Sequence, residues 1–330
     1  MEGQNLSLIT RGDIVSVALR VIQEKKGPAI LQRLLLSSTS RVKKTWAQSR
    51  HFLRNWYQVP AVEARQNRLI SGDERQTAVN YTINLLQVGK GLKALSIGCG
   101  SGTREIAWAE TGIFESILAI DISEERIIEA KTNGTRSPDG SVIQFETADI
   151  RKKHFLPGSF DMVIAEGILH HISPLEPLLD EVLSSLRPNG FLVVNEYVGP
   201  DRFQWTPNQI RYCNALLALI PVEFRTYRGT GIPKKWVFRP GTLSMRIHDP
   251  SEAVESSKIS DLISRKFKVI SRRDYGGAIL HPLLKDIAHH FVESTPATAE
   301  ILQFLFDSED YLMRMGAIES DFSFLIAQKP

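Results

Sequence analysis

The sequence predicts an α/β fold on a largely parallel sheet with helices on both faces, and three features predict it. Short apolar runs recur at Ala94–Ile97, Ser116–Ile120, Val142–Thr147, Met162–Ala165 and Phe191–Glu196, with further strands at Phe267–Arg272 and Asp321–Gln328. Runs of this length that stay apolar at consecutive positions read as strands buried on both faces. Segments of helical spacing separate them, as expected of βαβ units. Between the first run and the first of these helices stand Gly98, Gly100 and Gly102. Glycines there let the backbone take φ > 0 and let a ligand approach without meeting a Cβ. The helix starting near Thr103 adds free N–H groups and the positive end of its dipole.

Composition narrows the function. With 330 residues, 42% of them hydrophobic, the chain has material for one large domain or two. A net charge of +3 does not call for nucleic acid. Cys99 and Cys213 stand far apart, so neither a disulfide scaffold nor a zinc ribbon is expected and a reducing compartment fits. No apolar stretch approaches the ~20 residues of a membrane-spanning helix. Met1–Asn5 has no charged region leading into an apolar core, so a cytoplasmic protein is expected. No metal site is expected, because His51, His154, His248, His281, His289 and His290 form no recognised ligand spacing.

Residues 11–36 suggest two helices broken at Gly27-Pro28. A basic segment follows, with Arg41, Lys43, Lys44, Arg50 and Arg54 interleaved with Trp46, Phe52, Leu53 and Trp56. On a helix this sets a cationic face beside an aromatic one, so residues 41–56 are a candidate for peripheral membrane contact. A solvated basic face with its aromatics packed inward is the alternative. Thr77–Val88 reads as a helix. Residues 1–90 are thus an N-terminal helical segment and 91–330 the ligand-binding domain.

The glycine turn is not a complete dinucleotide fingerprint, since Thr103 takes the third glycine's place, and no Gly-Lys-Ser/Thr follows for a P-loop. Asp121 ends the second strand 23 positions after Gly98, close to the spacing of an acid that accepts from both hydroxyls of a ribose. Ser123 is a plausible N-cap for the next helix. Asp149-Ile150 ends the third strand. Phe160-Asp-Met-Val-Ile-Ala-Glu-Gly-Ile-Leu-His-His-Ile172 spans the fourth, and Leu186-Arg-Pro-Asn-Gly190 turns into the fifth. Residues 197–265 are too long for a simple crossover. They fall at the carboxyl edge of the sheet, where open α/β folds bind ligands, and read as a lid and substrate-recognition insertion.

Leu95-Ser-Ile-Gly-Cys-Gly-Ser-Gly102 resembles the first motif of the class I S-adenosylmethionine-dependent methyltransferases. Asp149-Ile150, the Phe160–Ile172 segment and the Leu186–Gly190 turn match that family in order and spacing over residues 94–196. The resemblance implies a Rossmann-like seven-stranded sheet whose last strand is antiparallel. It implies S-adenosylmethionine as cofactor and S-adenosylhomocysteine as product. Gly98, Cys99, Gly100, Ser101 and Gly102 would cradle the cofactor, with Asp121 and Ile122 at its ribose. Asp149 would accept from the adenine amino group, and Ile150 would pack on the ring. The N-terminal segment would cross the cofactor, bringing Arg65, Arg68 and Tyr81 near it.

An acceptor hydroxyl needs a general base. His170 and His171 follow the fourth strand, and histidine titrates near neutral pH. His171 is expected near the cofactor and His170 near the acceptor. Glu166 could bind the methionyl amino group or the acceptor. Glu196 and Tyr197 are further catalytic candidates after the fifth strand, and Arg202 and Trp205 are acceptor-side candidates. The expected reaction is methyl transfer to an oxygen or nitrogen of a small organic acceptor, a saccharide or secondary metabolite. Alternatives are a membrane-peripheral enzyme acting on a lipid or lipid-linked glycan, and a binding protein without turnover. The fourth motif lacks Asn/Asp-Pro-Pro-Tyr/Phe, and the paired glutamates of protein arginine methyltransferases are absent, so neither nucleic-acid bases nor protein arginine is expected as acceptor.

Overall fold

The computed structural model describes residues 10–15 and 55–330. Residues 11–15 are helical. The rest of the expected helix pair, and the basic segment up to residue 54, lie outside the described residues. Trp56, at that segment's end, is fully buried, against Phe322 at 5.0 Å between ring centroids.

Among the described residues seven strands form one sheet: β1 (Leu92–Ile97), β2 (Phe114–Asp121), β3 (Ile143–Thr147), β4 (Phe160–Glu166), β5 (Leu186–Tyr197), β6 (Lys268–Gly276) and β7 (Phe322–Gln328). Their spatial order is β3-β2-β1-β4-β5-β7-β6. Pairing is parallel from β3 through β5, and β7 runs antiparallel to both β5 and β6. The two-residue period of a strand divides its apolar side chains between two cores. Ala94, Met162, Ile164, Phe324 and Ile326 face one, and Leu95, Val163, Ala165, Leu325 and Ala327 face the other. The chain runs outward from β1 to β3 and then returns to place β4 on the other side of β1. A crevice therefore opens at the carboxyl ends of β1 and β4, where such sheets bind ligands.

The helices are α1 (Pro60–Ser71), α2 (Ala78–Leu86), α3 (Thr103–Ala109), α4 (Glu124–Gly134), α5 (Leu175–Ser185), α6 (Pro207–Leu219), α7 (Thr242–His248), α8 (Ile259–Lys266), α9 (Leu280–Leu284) and α10 (Pro296–Arg314). Proline stands in the first turn of α1, α6 and α10, where its missing N–H costs nothing. Thr77, Ser123, Thr206 and Thr295 accept from first-turn amides as N-caps. At α10 the cap is reciprocal, with Thr298 Oγ1 accepting from Thr295 N at 2.8 Å. Thr295→Ala should lower stability by about 1 kcal/mol, read as a lower melting temperature in calorimetry with no change in the folded far-UV spectrum.

Three expectations need correction. The turn expected at residues 187–190 lies inside one continuous strand, because Leu186 already pairs with Phe160 and a register irregularity absorbs the extra residues. After the sixth strand the sequence predicts a helix over about 279–292, but α9 stops at Leu284, and Asp286 takes φ 66° and turns the chain before a short 3-10 segment, Ala288–Phe291. Within the stretch taken as an insertion, α8 packs on α5 and buries Ile259, Leu262 and Ile263 in the second core, so it serves as the crossover into β6.

The described N-terminal segment divides. Residues 10–15 lie against the insertion, where Thr10 Oγ1 donates to Arg239 O at 2.8 Å and Asp13 accepts from Gly241 N at 2.9 Å. Residues 56–86 pack on the far edge of the sheet. Helix α1 lies on β6, and its buried Arg65 pairs with Glu309 at 2.9 Å and with Asp310. Tyr81 reaches Ser271 on β6 at 2.9 Å.

Candidate functional site

A cavity of about 280 Å³ lies over the carboxyl ends of β1, β2, β3 and β4. Gly98 and Gly100 line it with φ of 74° and 53°, values that side chains rarely adopt. A Cβ on Gly98 would strike Ile168 at 2.5 Å. A Cβ on Gly100 would meet no protein atom within 4 Å, so the space beside it is open to a ligand. Asp121 Oδ2 accepts from Gly100 N at 2.9 Å and Oδ1 from Ser123 N at 2.8 Å. These two bonds fix the carboxylate at the cavity wall, while its burial pushes the carboxyl's pKa up.

Of the residues expected at the cofactor, the cavity brings together Gly98, Gly100, Asp121, Ile122, Asp149, Ile150 and His171. Both oxygens of Asp149 accept from Arg151, at 2.9 and 2.7 Å, and that guanidinium holds the carboxyl below its usual range. Cys99, Ser101, Gly102 and Glu166 are not in the lining. Cys99 is buried. Ser101 turns to Thr103, and its carbonyl accepts from Asn133. Gly102 packs under Phe145, where a Cβ would sit at 2.8 Å. Glu166 accepts from Trp108 Nε1 at 2.9 Å and faces Arg104 Nε at 3.5 Å. Trp108 and Arg104 lie one turn apart on α3, and that face of the helix takes up the carboxylate.

No residue of the described N-terminal segment lines this cavity. It is covered instead by Pro250, Ser251 and Val254 from the insertion, with Arg126, Arg151 and Ile168 completing the wall. Nothing in the local sequence marks these residues, since they arrive from far along the chain or from ordinary helix and loop positions. The covering loop is pinned in three places. Arg202 N donates to Ala253 O at 2.6 Å, Arg202 Nη1 to Glu252 O at 3.0 Å, and Val254 N to His170 O at 2.9 Å. Arg202 thus holds the loop.

A second cavity, of about 340 Å³, lies on the insertion side. Phe203, Trp205, Tyr227, Trp236 and Phe238 supply much of its wall, and Glu252 is among its polar members. Trp205, an expected acceptor-side residue, stacks on Phe203 at 5.5 Å. Tyr197 lines neither cavity. It is buried against Phe203, His281 and Phe322 and donates its hydroxyl to Pro200 O at 3.0 Å.

Between the cavities runs a chain of three groups. Glu196 is buried, and its Oε1 accepts from the backbone N–H of Ile168 and of Leu169. Its Oε2 meets His170 Nδ1 at 2.5 Å. His170 Nε2 faces Glu252 Oε1 at 3.6 Å. Burial opposes charge on His170, but the Glu196 carboxylate, with Glu252 and Asp249, outweighs it and raises the pKa. His171 is shifted down by burial and by its charged neighbour. Its Nδ1 meets Ser251 Oγ at 3.3 Å, and that hydroxyl donates to Asp249 at 2.6 Å. Donor atoms of His170, His171 and Glu252 lie within 4.8 Å of one another, a grouping that histidine spacing alone could not reveal because Glu252 comes from the insertion. His170 itself lines neither cavity; its Nε2 faces Glu252, which lines the second, and its neighbour His171 lines the first, so the arrangement can hold a proton at Nε2 between the two.

Residues 95–194 match the family described as "Methyltransferase domain". Among curated relatives, a demethylmenaquinone methyltransferase from Beutenbergia cavernae is 31% identical over 131 residues, which cover 40% of this chain and 50% of that one. Phosphoethanolamine N-methyltransferase 3 from Arabidopsis thaliana is 26% identical over 121 residues, 35% of this chain and 23% of that one. The chain spans half or less of the length of these relatives. A solved S-adenosylmethionine-dependent methyltransferase from Mesorhizobium loti superposes with a TM-score of 0.44 at 19% identity, covering 76% of this chain and 98% of that one.

Proposed function

Because the chain carries a class I S-adenosylmethionine-dependent methyltransferase domain, we propose that it binds S-adenosylmethionine in the first cavity and methylates a small organic acceptor held in the second. The observation that carries this reading is the Glu196–His170–Glu252 chain, which joins the walls of the two cavities. When bound, S-adenosylmethionine supplies an electrophilic methyl group on a sulfonium. Asp121 is oriented to accept from ribose hydroxyls, Ile150 to pack on a base, and the open side of Gly100 to admit the ligand backbone-close. Pro250, Ser251 and Val254 exclude water from above, which strengthens every polar contact beneath them.

On the acceptor side His170 takes a proton from a hydroxyl, or keeps an amine in its free-base form. Glu196 fixes the imidazole by holding its Nδ1 proton, so that Nε2 presents the lone pair. Glu252 and the aromatic walls hold the acceptor. The two relatives are named for unlike acceptors, a demethylmenaquinone and a phosphoethanolamine, and so do not select between quinone-like, saccharide and amine substrates.

The test is binding followed by turnover. S-adenosylmethionine should bind in calorimetry and NAD should not. Asp121→Ala should weaken S-adenosylmethionine about ten-fold or more, because hydrogen bonds to a charged acceptor are worth roughly 1.5–3 kcal/mol. An unchanged dissociation constant in a folded Asp121→Ala variant would remove Asp121 from the ribose. Labelled S-adenosylmethionine incubated with source-cell extract should then mark a small molecule, and label found only in nucleic acid or protein would refute the acceptor class.

A further inference from the structure

We propose that the face formed by the end of α6 and the loop at residues 228–236 docks on an anionic lipid surface and sets the second cavity's rim against it. Four large apolar side chains stand out on this face. Leu219 is 67% exposed, Val222 53%, Ile232 42% and Trp236 58%. Contiguous exposed apolar side chains on a domain mark a partner or a membrane.

They belong to one surface because Arg225 ties the two stretches together. Its Nε donates to Ile220 O at 2.9 Å and its Nη1 to Lys234 O at 3.0 Å. Lys234 N returns a bond to Arg225 O, and Thr226 bridges to Pro233. Gly229 and Gly231, at φ 68° and 66°, make the turn that presents Ile232. The loop is also anchored from below. The buried Lys234 ammonium donates to the carbonyls of Pro282, Leu283 and Lys285 at 3.0, 2.9 and 2.8 Å. Those three bonds use all three of its protons and hold the loop against the end of α9.

Charge selects the occupant. Between Phe203 and Ile247 the exposed charges are Arg211, Arg228, Lys235 and Arg246 against one acid, Glu223. Arg228 and Lys235 are exposed beside Ile232 and Trp236. Cationic side chains flanking protruding Ile and Trp match an anionic bilayer surface, where charge attracts and indole and aliphatic groups enter the interface. Trp236 is at once a wall of the second cavity and more than half exposed, so it stands at that cavity's rim. An acceptor that is itself membrane-borne would then pass from the bilayer into the cavity. Only this last step rests on the methyl-transfer reading.

The experiment is co-sedimentation of the full chain with vesicles of phosphatidylcholine alone and of phosphatidylcholine with phosphatidylglycerol, without cofactor or acceptor. The protein should partition to the anionic vesicles, and less so as salt is raised. Ile232→Ser with Trp236→Ser should lower the partition coefficient about ten-fold or more. Lys235→Glu should lower it by at least about five-fold. Melting temperatures of the variants show that each is folded. Three results would overturn the proposal: no vesicle binding; binding lost in Lys43→Glu/Lys44→Glu but kept in the loop variants; or a dimer in solution that the loop variants split while vesicles bind nothing. Because no turnover is measured, failure here leaves the methyl-transfer reading standing, and the reverse also holds.

Discussion

Glu196→Gln should leave the chain folded and S-adenosylmethionine affinity near its original value while lowering kcat by roughly 10³–10⁴-fold, the scale seen when a histidine's orienting carboxylate becomes an amide. The carboxylate of Glu196 serves two masters. Its Oε1 accepts from the N–H groups of Ile168 and Leu169, and glutamine's carbonyl can keep those bonds. Its Oε2 holds the Nδ1 proton of His170. Glutamine would present an NH2 there, so Nδ1 would have to accept and the proton would move to Nε2. The nitrogen facing Glu252 would then be a donor, unable to take the acceptor's proton. Steady-state turnover at saturating cofactor, calorimetry and thermal unfolding check the three parts. A folded variant with unimpaired kcat would put the base elsewhere.

The cofactor cavity was legible where it depends on strand ends. Gly98, Gly100, Asp121, Asp149 and Ile150 each follow an apolar run, and in a parallel sheet every such end lies on the same edge. The antiparallel β7 was implied by resemblance and the strand order was not read, since pairing between distant segments leaves no local mark. The roof was legible only as a segment: residues 197–265 read as a lid, but no pattern within them singled out the residues that close the cavity. Pro250, Ser251 and Val254 reach the cavity from a stretch without motif, held by Arg202, whose side chain had been assigned to the acceptor. That guanidinium instead donates to a backbone carbonyl, a role any long donor could fill and no spacing announces.

Glu166 and Tyr197 were misread for a related reason. Each sits at a strand end on the ligand edge, which is all the sequence could show. Glu166 is drawn to Arg104 and Trp108 on α3, and Tyr197 is enclosed by the rings of Phe203, of His281 on α9 and of Phe322 on β7. Half-buried His281 in the same ring cluster is pushed down to about 3 by desolvation of its ring and stays neutral there. The expectation that the N-terminal segment crosses the cofactor failed on its described part because Arg65 has a stronger claim elsewhere. The buried Glu309 carboxylate accepts from the amides of Ile279 and Leu280 and needs a cation beside it.

His170→Ala should lower kcat by about 10²–10⁴-fold, the usual contribution of a general base, and should erase the limb of the pH profile that reports it. Burial disfavours the imidazolium of His170. The facing carboxylates, Glu196 first and then Glu252 and Asp249, more than offset burial, and His171 beside it is shifted down and leaves that charge to His170. The folded-state pKa is therefore raised above the ordinary value of about 6.5. A base acts when neutral, so turnover should climb as pH rises through the raised pKa, with its midpoint on the alkaline side of an ordinary histidine. Stability follows the opposite course. A raised pKa contributes stability that is complete below the unfolded value of about 6.5 and is lost as pH rises through the folded value. Melting temperature should thus fall across the same interval in which kcat rises, and His170→Ala should flatten both curves together. A rate limb that persists in the variant with kcat retained would assign the titration to another group. A flattened rate with an unflattened melting curve would separate the catalytic base from the group that couples to folding.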